Sequence, residues 1–310
     1  MRIMFMGTPD ISAVCLRELI ASDNEIVAVV TGKDKPRGRG NVMTPTPVKA
    51  LALEHALPVY TPDSLKTEDF MELLREINPD LIAVVAYGKI LPVSVLDFPK
   101  HGCVNVHVSL LPKYRGAAPM QRAIIEGESE TGVTIMYMAE GVDTGDIITA
   151  EAFPIGPDDD FEAIHDRSAE VGGKLLVKTI KDIENGTATR TPQDHSRATH
   201  AAKIEKEDCK IDFTKSAKTL DCAIRGVTPI PGAFAYLKGK MLKIYKATPT
   251  DGKGKPGEVI ATDPKGTGSF TVACGEGALK VFGVIPEGKG RMGAGDFVRG
   301  RKIELGDILE

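Results

Sequence analysis

The most informative polar side chains lie between residues 105 and 119, where the chain reads Asn-Val-His-Val-Ser-Leu-Leu-Pro-Lys-Tyr-Arg-Gly-Ala-Ala-Pro. Asn105 and His107 close an apolar run of strand length, and residues two apart in a strand face the same side. An amide can donate a hydrogen bond to a developing oxyanion while an imidazole moves a proton, which is the chemistry of acyl transfer. Taken alone, each residue is more typical of a structural role: Asn105 as a strand-end cap and His107 as a satisfied, half-buried histidine.

A third chemical group is Asp143, in the turn Gly141-Val142-Asp143-Thr144-Gly145-Asp146. Aspartate in a glycine-flanked turn usually serves the turn itself. If the turn folds over the end of the strand, the carboxylate would meet His107. It would then orient the ring, raise its basicity and assist removal of a proton from an attacking amine.

The scaffold that would position these groups is predicted by hydrophobic periodicity in the first half of the chain. The predicted strands are Ile3–Met6, Ile26–Thr31, Leu81–Val85 and Cys103–His107, and the predicted helices are Ile11–Ser22, Val48–His55 and Glu68–Ile77. Alternating strands and helices predict an α/β fold with a doubly wound, Rossmann-like N-terminal domain. Ligands of such sheets bind beyond the carboxyl ends of the strands, here at Gly7–Asp10 and at the segment that begins at Asn105.

Gly7–Asp10 predicts a turn into a helix, with Thr8 as the N-cap and Pro9 at the first helical position. The turn lacks the GxGxxG fingerprint of dinucleotide binding, and Gly32-Lys33 follows the second strand where an acidic residue would bind a ribose. The sequence therefore disfavours a nicotinamide-dependent enzyme.

The second half of the chain changes character. Strands at Val133–Met138 and Ile147–Phe153 and a helix at Phe161–Glu184 precede a polar, aperiodic stretch. A helix near Ser216–Arg225 then precedes short β-rich runs typical of a compact barrel: Ala233–Leu237, Leu242–Ala247, Glu258–Thr262, Phe270–Ala273 and Ala278–Ile285. We predict a catalytic domain at residues 1–186, a linker at 187–205 and a β-barrel domain at 206–310.

Composition narrows the functional class. Apolar residues make up 42% and charged residues 26% of the 310 residues, as in globular proteins. No run approaches the roughly 20 apolar residues of a membrane span, and the first apolar run is too short for a signal peptide, so we expect a cytoplasmic protein. Five scattered cysteines predict reduced, structural thiols, and six histidines without a ligand cluster predict no catalytic metal.

The net charge of −4 is unevenly distributed, because residues 205–310 are basic overall and the residues before them are acidic. A basic C-terminal part suggests a polyanionic partner such as a nucleic acid. Differences of this size are also common among ordinary domains, so charge alone leaves both interpretations open.

The pattern Asn105-x-His107-x-Ser109-Leu110-Leu111-Pro112, followed by Arg115-Gly116 and by Asp143-x-Gly145-Asp146, resembles the active site of the 10-formyltetrahydrofolate-dependent formyltransferases. The resemblance implies that Asn105, His107 and Asp143 are the catalytic residues. It also implies that Ser109, Leu110, Leu111 and Pro112 form part of the site for the folate co-substrate. Val108 departs from the pattern, which more often has a small residue such as glycine there.

Within that family, the chain resembles the branch that acts on methionyl-tRNA. The similarity runs nearly end to end, through Gly7–Asp10, Asp34–Gly40, Thr44–Lys49, Gly116–Ala123, Glu130–Met136 and Arg299–Lys302. It implies formyl transfer from 10-formyltetrahydrofolate to the α-amino group of methionyl initiator tRNA, in support of translation initiation.

The same resemblance implies that the C-terminal part is an OB-like barrel that helps to bind tRNA, and that Arg37 and Arg39 bind tRNA, with Arg39 at the acceptor end. Planar guanidinium groups among glycines suit contacts with phosphates and bases. Such a run is usually a solvated basic loop. Its position after a strand, on the active-site edge, favours a role in binding tRNA. We expect the protein to act as a monomer.

The expected mechanism is direct transfer, in which Asn105 and protonated His107 stabilise the oxyanion and Asp143 positions His107. Ser109 is not expected to be a nucleophile, because it belongs to the folate loop.

Three alternative functions remain open. A formyltransferase for another amine, such as an amino-sugar nucleotide, would act without RNA. A non-enzymatic RNA-binding protein would bind tRNA with steep salt dependence but would not bind folate. A hydrolase would release formate with water as acceptor.

Overall fold

The computed structural model describes residues 1–37 and 40–310, which form two compact units. The N-terminal unit comprises Met1–Gly116, Glu130–Phe153 and His165–Ala201, and the C-terminal unit comprises Ala117–Ser129, Pro154–Ile164 and Ala202–Glu310. The predicted domain boundaries stay a prediction. Unlike the predicted domains, each of the two units is made of three separate segments of the chain. Two short segments from within the predicted catalytic domain belong to the C-terminal unit, while most of the predicted linker packs into the N-terminal unit.

The predicted strands and helices form close to their predicted bounds, and further short elements lie between them. In chain order the strands are β1 (Arg2–Gly7), β2 (Glu25–Val30), β3 (Lys35–Arg37), β4 (Val42–Thr44), β5 (Val59–Tyr60), β6 (Leu81–Val85), β7 (Cys103–His107), β8 (Arg115–Gly116), β9 (Glu130–Tyr137), β10 (Ile147–Pro154), β11 (His200–Ala201), β12 (Ala233–Leu237), β13 (Lys240–Thr250), β14 (Val259–Asp263), β15 (Ser269–Ala273), β16 (Ala278–Pro286) and β17 (Met292–Gly293). The helices are α1 (Asp10–Ile20), α2 (Pro47–Glu54), α3 (Glu68–Ile77), α4 (Val93–Leu96), α5 (Pro119–Ile125), α6 (Phe161–Glu184), α7 (Ala217–Gly226) and α8 (Ala294–Arg299). Short 3-10 turns lie at His195–Arg197 and Glu207–Cys209.

The main sheet of the N-terminal unit has the strand order β10-β9-β7-β6-β1-β2-β5. The pairs β1–β2, β1–β6, β2–β5 and β6–β7 are parallel, whereas β7 and β9 run antiparallel. The chain proceeds from β1 outward to β2 and β5, then returns to β6 on the other side of β1. This reversal confirms the predicted doubly wound α/β sheet, and it brings the carboxyl ends of β1 and β6 together at the switch point where such folds bind ligands.

Helices cover both faces of this sheet. On one face, Met4, Ile82 and Cys103 pack in a buried cluster with Leu74 of α3 and Val95 of α4. On the other face α6 approaches so closely that a Cβ atom at Gly172 would lie 3.0 Å from Val106 Cγ1. Since neighbouring residues of β7 face opposite sides, Asn105 and His107 project from the face that α3 and α4 cover.

The turn after β1 differs from the prediction in its cap. Helix α1 begins at Asp10 with Pro9 as the N-cap residue and without a side-chain capping bond, so the predicted N-cap at Thr8 is wrong. The Thr8 hydroxyl instead donates to the Tyr87 carbonyl at 3.4 Å, just beyond β6. It therefore links the two loops at the switch point.

The C-terminal unit is built on an antiparallel sheet of order β12-β13-β16-β15-β14, with β17 paired to β16. Each predicted β-rich run lies in this sheet. The predicted helix is α7, and its N-cap Ser216 accepts a hydrogen bond from the Thr219 N–H at 3.1 Å. Leu220 and Ile224 of this helix belong to the same buried core as the strands.

Residues 306–310 join the two edges of this sheet. The Glu310 and Tyr236 backbones exchange hydrogen bonds of 2.9 and 2.7 Å on the β12 edge. Beside β14, the Leu309 N–H donates to the Gly257 carbonyl at 2.8 Å, and the Val259 N–H donates to the Asp307 carbonyl at 2.8 Å. The terminal segment thus gives partners to both edge strands, as barrel closure requires. That this sheet closes into an OB-like barrel stays a prediction.

Within residues 1–37 and 40–310, no helix combines the length and apolar character needed to span a membrane. All five cysteines are buried and have free thiols, as predicted.

The buried side chain of Leu309 should anchor the closing segment. Leu309 is 2% exposed, whereas Leu305 is 68% exposed. We expect Leu309→Ala to lower the free energy of unfolding by about 2–4 kcal/mol, because it leaves a cavity where both sheet edges meet. The measurement is denaturant unfolding of the purified protein. The matched change Leu305→Ala should cost less than about 0.5 kcal/mol, and equal losses in the two variants would contradict the anchoring role.

Candidate active site

The site lies at the carboxyl end of β7, the strand between β6 and β9. Asn105 pairs across the sheet with Val84 and Met136, and His107 pairs with Thr134. Asn105 is half-buried, while His107 is 5% exposed. A histidine this buried needs partners for both ring nitrogens, and those partners define what the ring can do.

Two acceptors face the His107 ring. Nε2 lies 2.9 Å from the Tyr114 carbonyl oxygen, and Nδ1 lies 3.5 Å from Oδ2 of Asp143. Because a carbonyl oxygen can only accept, the hydrogen bond to Tyr114 requires a proton on Nε2. The contact with Asp143 is longer than a good hydrogen bond. Both ring nitrogens of His107 therefore face an oxygen acceptor.

Asp143 is held by the backbone of a second loop. Its Oδ2 accepts a hydrogen bond of 2.8 Å from the Gly116 N–H, and its side chain is 12% exposed. The residue adopts a left-handed conformation with φ of 52°, which aspartate tolerates better than most residues. The structure thus brings His107 and Asp143 together, and Asn105 lies on the same strand, two residues before His107.

The loop Ser109–Pro112 is braced from β9. The Thr134 hydroxyl donates to the Ser109 carbonyl at 2.7 Å and accepts from the Leu111 N–H at 3.2 Å. The Ser109 hydroxyl donates to the Lys113 carbonyl at 2.7 Å, so its proton is engaged within the loop. A Cβ atom at Gly132 would lie 2.5 Å from Leu110 Cδ2, so the glycine makes room for the loop's leucine.

Two residues of this site were missed in the sequence analysis. Thr134 lies opposite His107 in β9, and the alternation of that strand could have identified it as inward-facing. Gln193 was assigned to the linker, yet its side chain lies 7% exposed against the turn that carries Asp143. Its polar, aperiodic surroundings in the sequence contain no local signal of such a role.

Other titratable groups in these strands and in the loops after them are poor candidates for catalysis. Burial raises the pKa of the Cys103 thiol to about 12, so it stays protonated and is not a nucleophile at neutral pH. Burial likewise raises the pKa of the Tyr87 hydroxyl to about 12. Across the described part of the chain, no three His, Cys, Asp or Glu side chains are grouped so that they could hold a metal ion.

The predicted tRNA-binding arginines lie in a segment that the structure describes only in part. Strands β3 and β4 pair antiparallel as a hairpin arm, with Val42 and Met43 of β4 exposed. Arg37 contributes its backbone to β3, and its side chain lies outside the described structure, as does Arg39 altogether.

Comparison with protein families gives two matches. Residues 1–180 match the model of the family described as formyl transferase, and residues 203–302 match the model of the formyl transferase C-terminal domain.

Full-length relatives agree with the family matches. The chain is 44% identical over 309 residues to the methionyl-tRNA formyltransferase of Citrifermentans bemidjiense, and the alignment covers 100% of this chain and 96% of the relative. It is 45% identical over 309 residues to that of Geotalea uraniireducens, covering 100% and 98%. It is 46% identical over 311 residues to that of Agathobacter rectalis, covering 100% and 99%.

Solved structures share the fold at lower identity. An N-formyltransferase from Helicobacter canadensis, in complex with folinic acid and dTDP-3-aminofucose, aligns with a TM-score of 0.67 at 21% identity, over 90% of this chain and 97% of that one. HypX from Aquifex aeolicus, in complex with tetrahydrofolic acid, aligns with a TM-score of 0.66 at 21% identity, over 100% of this chain and half of that chain's length (50%). At this identity the likeness concerns the fold alone.

The hydrogen bonds of the Thr134 hydroxyl should contribute measurably to the free energy of unfolding. Thr134→Val keeps the shape but leaves the Ser109 carbonyl and the Leu111 N–H without this partner, at an expected cost of about 1–3 kcal/mol. Denaturant unfolding would measure the difference. The control is Thr250→Val on an exposed residue of β13, which should change the free energy of unfolding by less than about 0.5 kcal/mol. An unchanged stability of Thr134→Val would contradict the bracing role.

Proposed function

Since the chain belongs to the formyl transferase family, we propose that it transfers the formyl group of 10-formyltetrahydrofolate to the α-amino group of methionyl initiator tRNA, in support of translation initiation. The observation that carries the proposal is full-length similarity to methionyl-tRNA formyltransferases, at 44% identity over 309 residues for the one from Citrifermentans bemidjiense. The buried contact between His107 and Asp143 at the end of β7 supports the proposed chemistry. The proposed setting is the cytoplasm, with the chain acting as a monomer.

The folate carrier would bind at the loop Ser109–Pro112. Thr134 holds the backbone of this loop in one conformation, and Leu110 and Pro112 are only half-buried beside the end of β7. Half-buried apolar side chains next to ordered backbone groups suit a flat, heteroaromatic ring with polar edges. When bound, the carrier supplies the formyl carbon for attack by the amine, with its N10 nitrogen as the leaving group.

Asn105 and His107 would stabilise the charge that develops on the formyl oxygen. The Asn105 carboxamide is a neutral donor, and a donor of this kind is typically worth about 3 kcal/mol in the transition state. The Nε2 proton of His107 now bonds to the Tyr114 carbonyl, and the formyl oxygen would share it as negative charge grows. His107 would then pass a proton to the leaving nitrogen.

Asp143 would hold His107 in this role and help to accept the proton of the attacking amine. The transfer balances without an enzyme-bound intermediate: the bond from the amine nitrogen to the formyl carbon forms, the bond from that carbon to N10 breaks, and one proton moves from the amine to N10. Ser109 is not needed as a nucleophile, in keeping with its hydrogen bond to the Lys113 carbonyl.

The tRNA would be bound by basic side chains. We propose that Arg37 and Arg39 contact the RNA, with Arg39 at the acceptor end, and that the C-terminal unit contributes lysines that contact phosphates. Val42 and Met43, the exposed apolar residues of β4, lie in the same hairpin arm and would reach towards the acceptor end of the tRNA. The alternative acceptor, an amino-sugar nucleotide, rests on fold likeness at 21% identity, so it enters as an outcome of the test below.

The proposed reaction predicts which acceptor takes up the formyl group. With radiolabelled 10-formyltetrahydrofolate, we expect rapid labelling of charged initiator methionyl-tRNA and little labelling of charged elongator methionyl-tRNA or of free methionine. Because the proposed contacts lie on the acceptor end of the RNA, the free amino acid lacks them. Label on a dTDP-linked amino sugar and on no RNA would replace the proposed acceptor, and formate release without any amine would indicate a hydrolase.

The catalytic assignment predicts large losses of turnover. Asn105→Ala and Asp143→Ala should each lower kcat at least about 100-fold, because each removes a group that acts on the developing charge. Single-turnover formyl transfer to charged initiator tRNA would measure this. Glu140→Ala, which removes an exposed carboxylate next to the Asp143 turn, is the matched control and should keep the wild-type rate. Near-normal turnover of either variant would remove that residue from the mechanism.

A further inference from the structure

We propose that Gln193 is a positioning residue for the reaction proposed above. Its carboxamide joins the turn that carries Asp143 to the loop Tyr114–Gly116, and through them it sets the separation of the Asp143 carboxylate from His107. The hydrogen bonds from its amide nitrogen end on the backbone carbonyls of Asp143 and Gly145, so it acts through the backbone.

The Gln193 carboxamide uses its full hydrogen-bonding capacity. Nε2 donates to the Asp143 carbonyl at 3.0 Å and to the Gly145 carbonyl at 2.7 Å. Oε1 accepts from Arg115 Nε at 3.1 Å and from Arg115 Nη2 at 2.6 Å. Two donors and two accepting positions are thus all occupied in a side chain that is 7% exposed. A fully satisfied, buried amide holds its partners in one arrangement.

Asp143 is consequently held at two points. Its carboxylate accepts from the Gly116 N–H, and its carbonyl accepts from Gln193. Between these points the residue has a φ of 52°, a conformation that a non-glycine residue keeps only when its surroundings hold it there. At Gly145, a Cβ atom would collide with the Tyr137 carbonyl oxygen, so the turn has little freedom to find another path.

Through its Oε1 atom, Gln193 also holds the loop that carries the Tyr114 carbonyl, the second partner of His107. Arg115, whose guanidinium donates to Gln193, follows Tyr114, whose carbonyl lies against His107 Nε2. The segment after Gln193 holds the same loop by its backbone: the Tyr114 N–H donates to Thr199 Oγ1 at 2.8 Å, and the Arg115 N–H donates to the Thr199 carbonyl at 2.9 Å. Both acceptors that face the His107 ring are therefore placed by residues 193–199.

The chemistry of the contact explains why glutamine suits this position. In Gln193→Glu, a carboxylate oxygen would face the carbonyl oxygens of Asp143 and Gly145, and both attractive contacts would become repulsive. In Gln193→Met the shape is kept and all four hydrogen bonds are lost. Asparagine is one methylene shorter and cannot span the turn and Arg115 together.

The test is a double-mutant cycle with Asp143. We expect Gln193→Glu to lower kcat for formyl transfer roughly 10- to 100-fold, as for other displacements of a catalytic group, while the KM for the folate donor changes less than threefold. In an Asp143→Asn background the same substitution should cost at least about threefold less than in the wild-type background, because the carboxylate, one of the two groups through which Gln193 acts, is already gone. Gln193→Met should show the same pattern, and Asn185→Asp, an amide-to-carboxylate change on an exposed residue of the same unit, should keep the wild-type kcat.

A second readout does not depend on activity. Hydrogen exchange of the Gly116 amide, which donates to Asp143, should accelerate at least about tenfold in Gln193→Glu and stay unchanged in Asn185→Asp. Equal losses of kcat in both Asp143 backgrounds, or an unchanged Gly116 exchange rate, would overturn the positioning role. If the wild-type protein transfers no formyl group, the proposed function fails, and the Gly116 exchange rate alone then decides whether Gln193 places Asp143.

Discussion

The hydrogen bond from the Gly116 N–H to the Asp143 carboxylate joins two loops that lie far apart in the chain. A carboxylate that is 12% exposed must find donors inside the protein, and here a backbone amide supplies one. The same loop presents the Tyr114 carbonyl to His107. The two groups that face the imidazole nitrogens therefore depend on one short stretch of backbone. The sheet, the turn that carries Asp143 and the segment after α6 all hold this stretch in place.

The architecture of the N-terminal unit could be predicted because its signal is local. β7 and α6 have the predicted bounds, since continuous apolar runs and helical spacing are complete within each segment. The position of Asn105 and His107 at a strand end followed from the same pattern. The antiparallel direction of β9 could not be predicted, because Glu130–Tyr137 has a similar apolar pattern in either direction of pairing.

The missed parts of the site depend on contacts between distant residues. Gln193 bonds to carbonyl groups 48 and 50 residues away, and its neighbours Pro192 and Asp194 resemble those of any polar linker. Backbone hydrogen-bonding groups leave no trace in residue type, so the Tyr114 carbonyl and the Gly116 N–H have no sequence signal for the roles they fill. The resemblance to a family pointed to Asp143 as a candidate despite this, because a family motif gives the residue types of a site without the contacts that hold them there. Sequence patterns show which side chains can react, whereas the polar contacts that orient them are visible only in three dimensions.

The closing segment of the C-terminal unit has a consequence for how the protein is made. Residues 306–310 occupy both edges of a sheet whose other strands all precede them in the chain. During synthesis, β14 and the Tyr236 end of β12 therefore emerge from the ribosome before their partners, and their edges stay unpaired until residues 306–310 have also emerged. Open edges can pair with strands of other chains. Slow decoding of the codons for residues 306–310 would lengthen the interval in which these edges stay exposed on nascent chains.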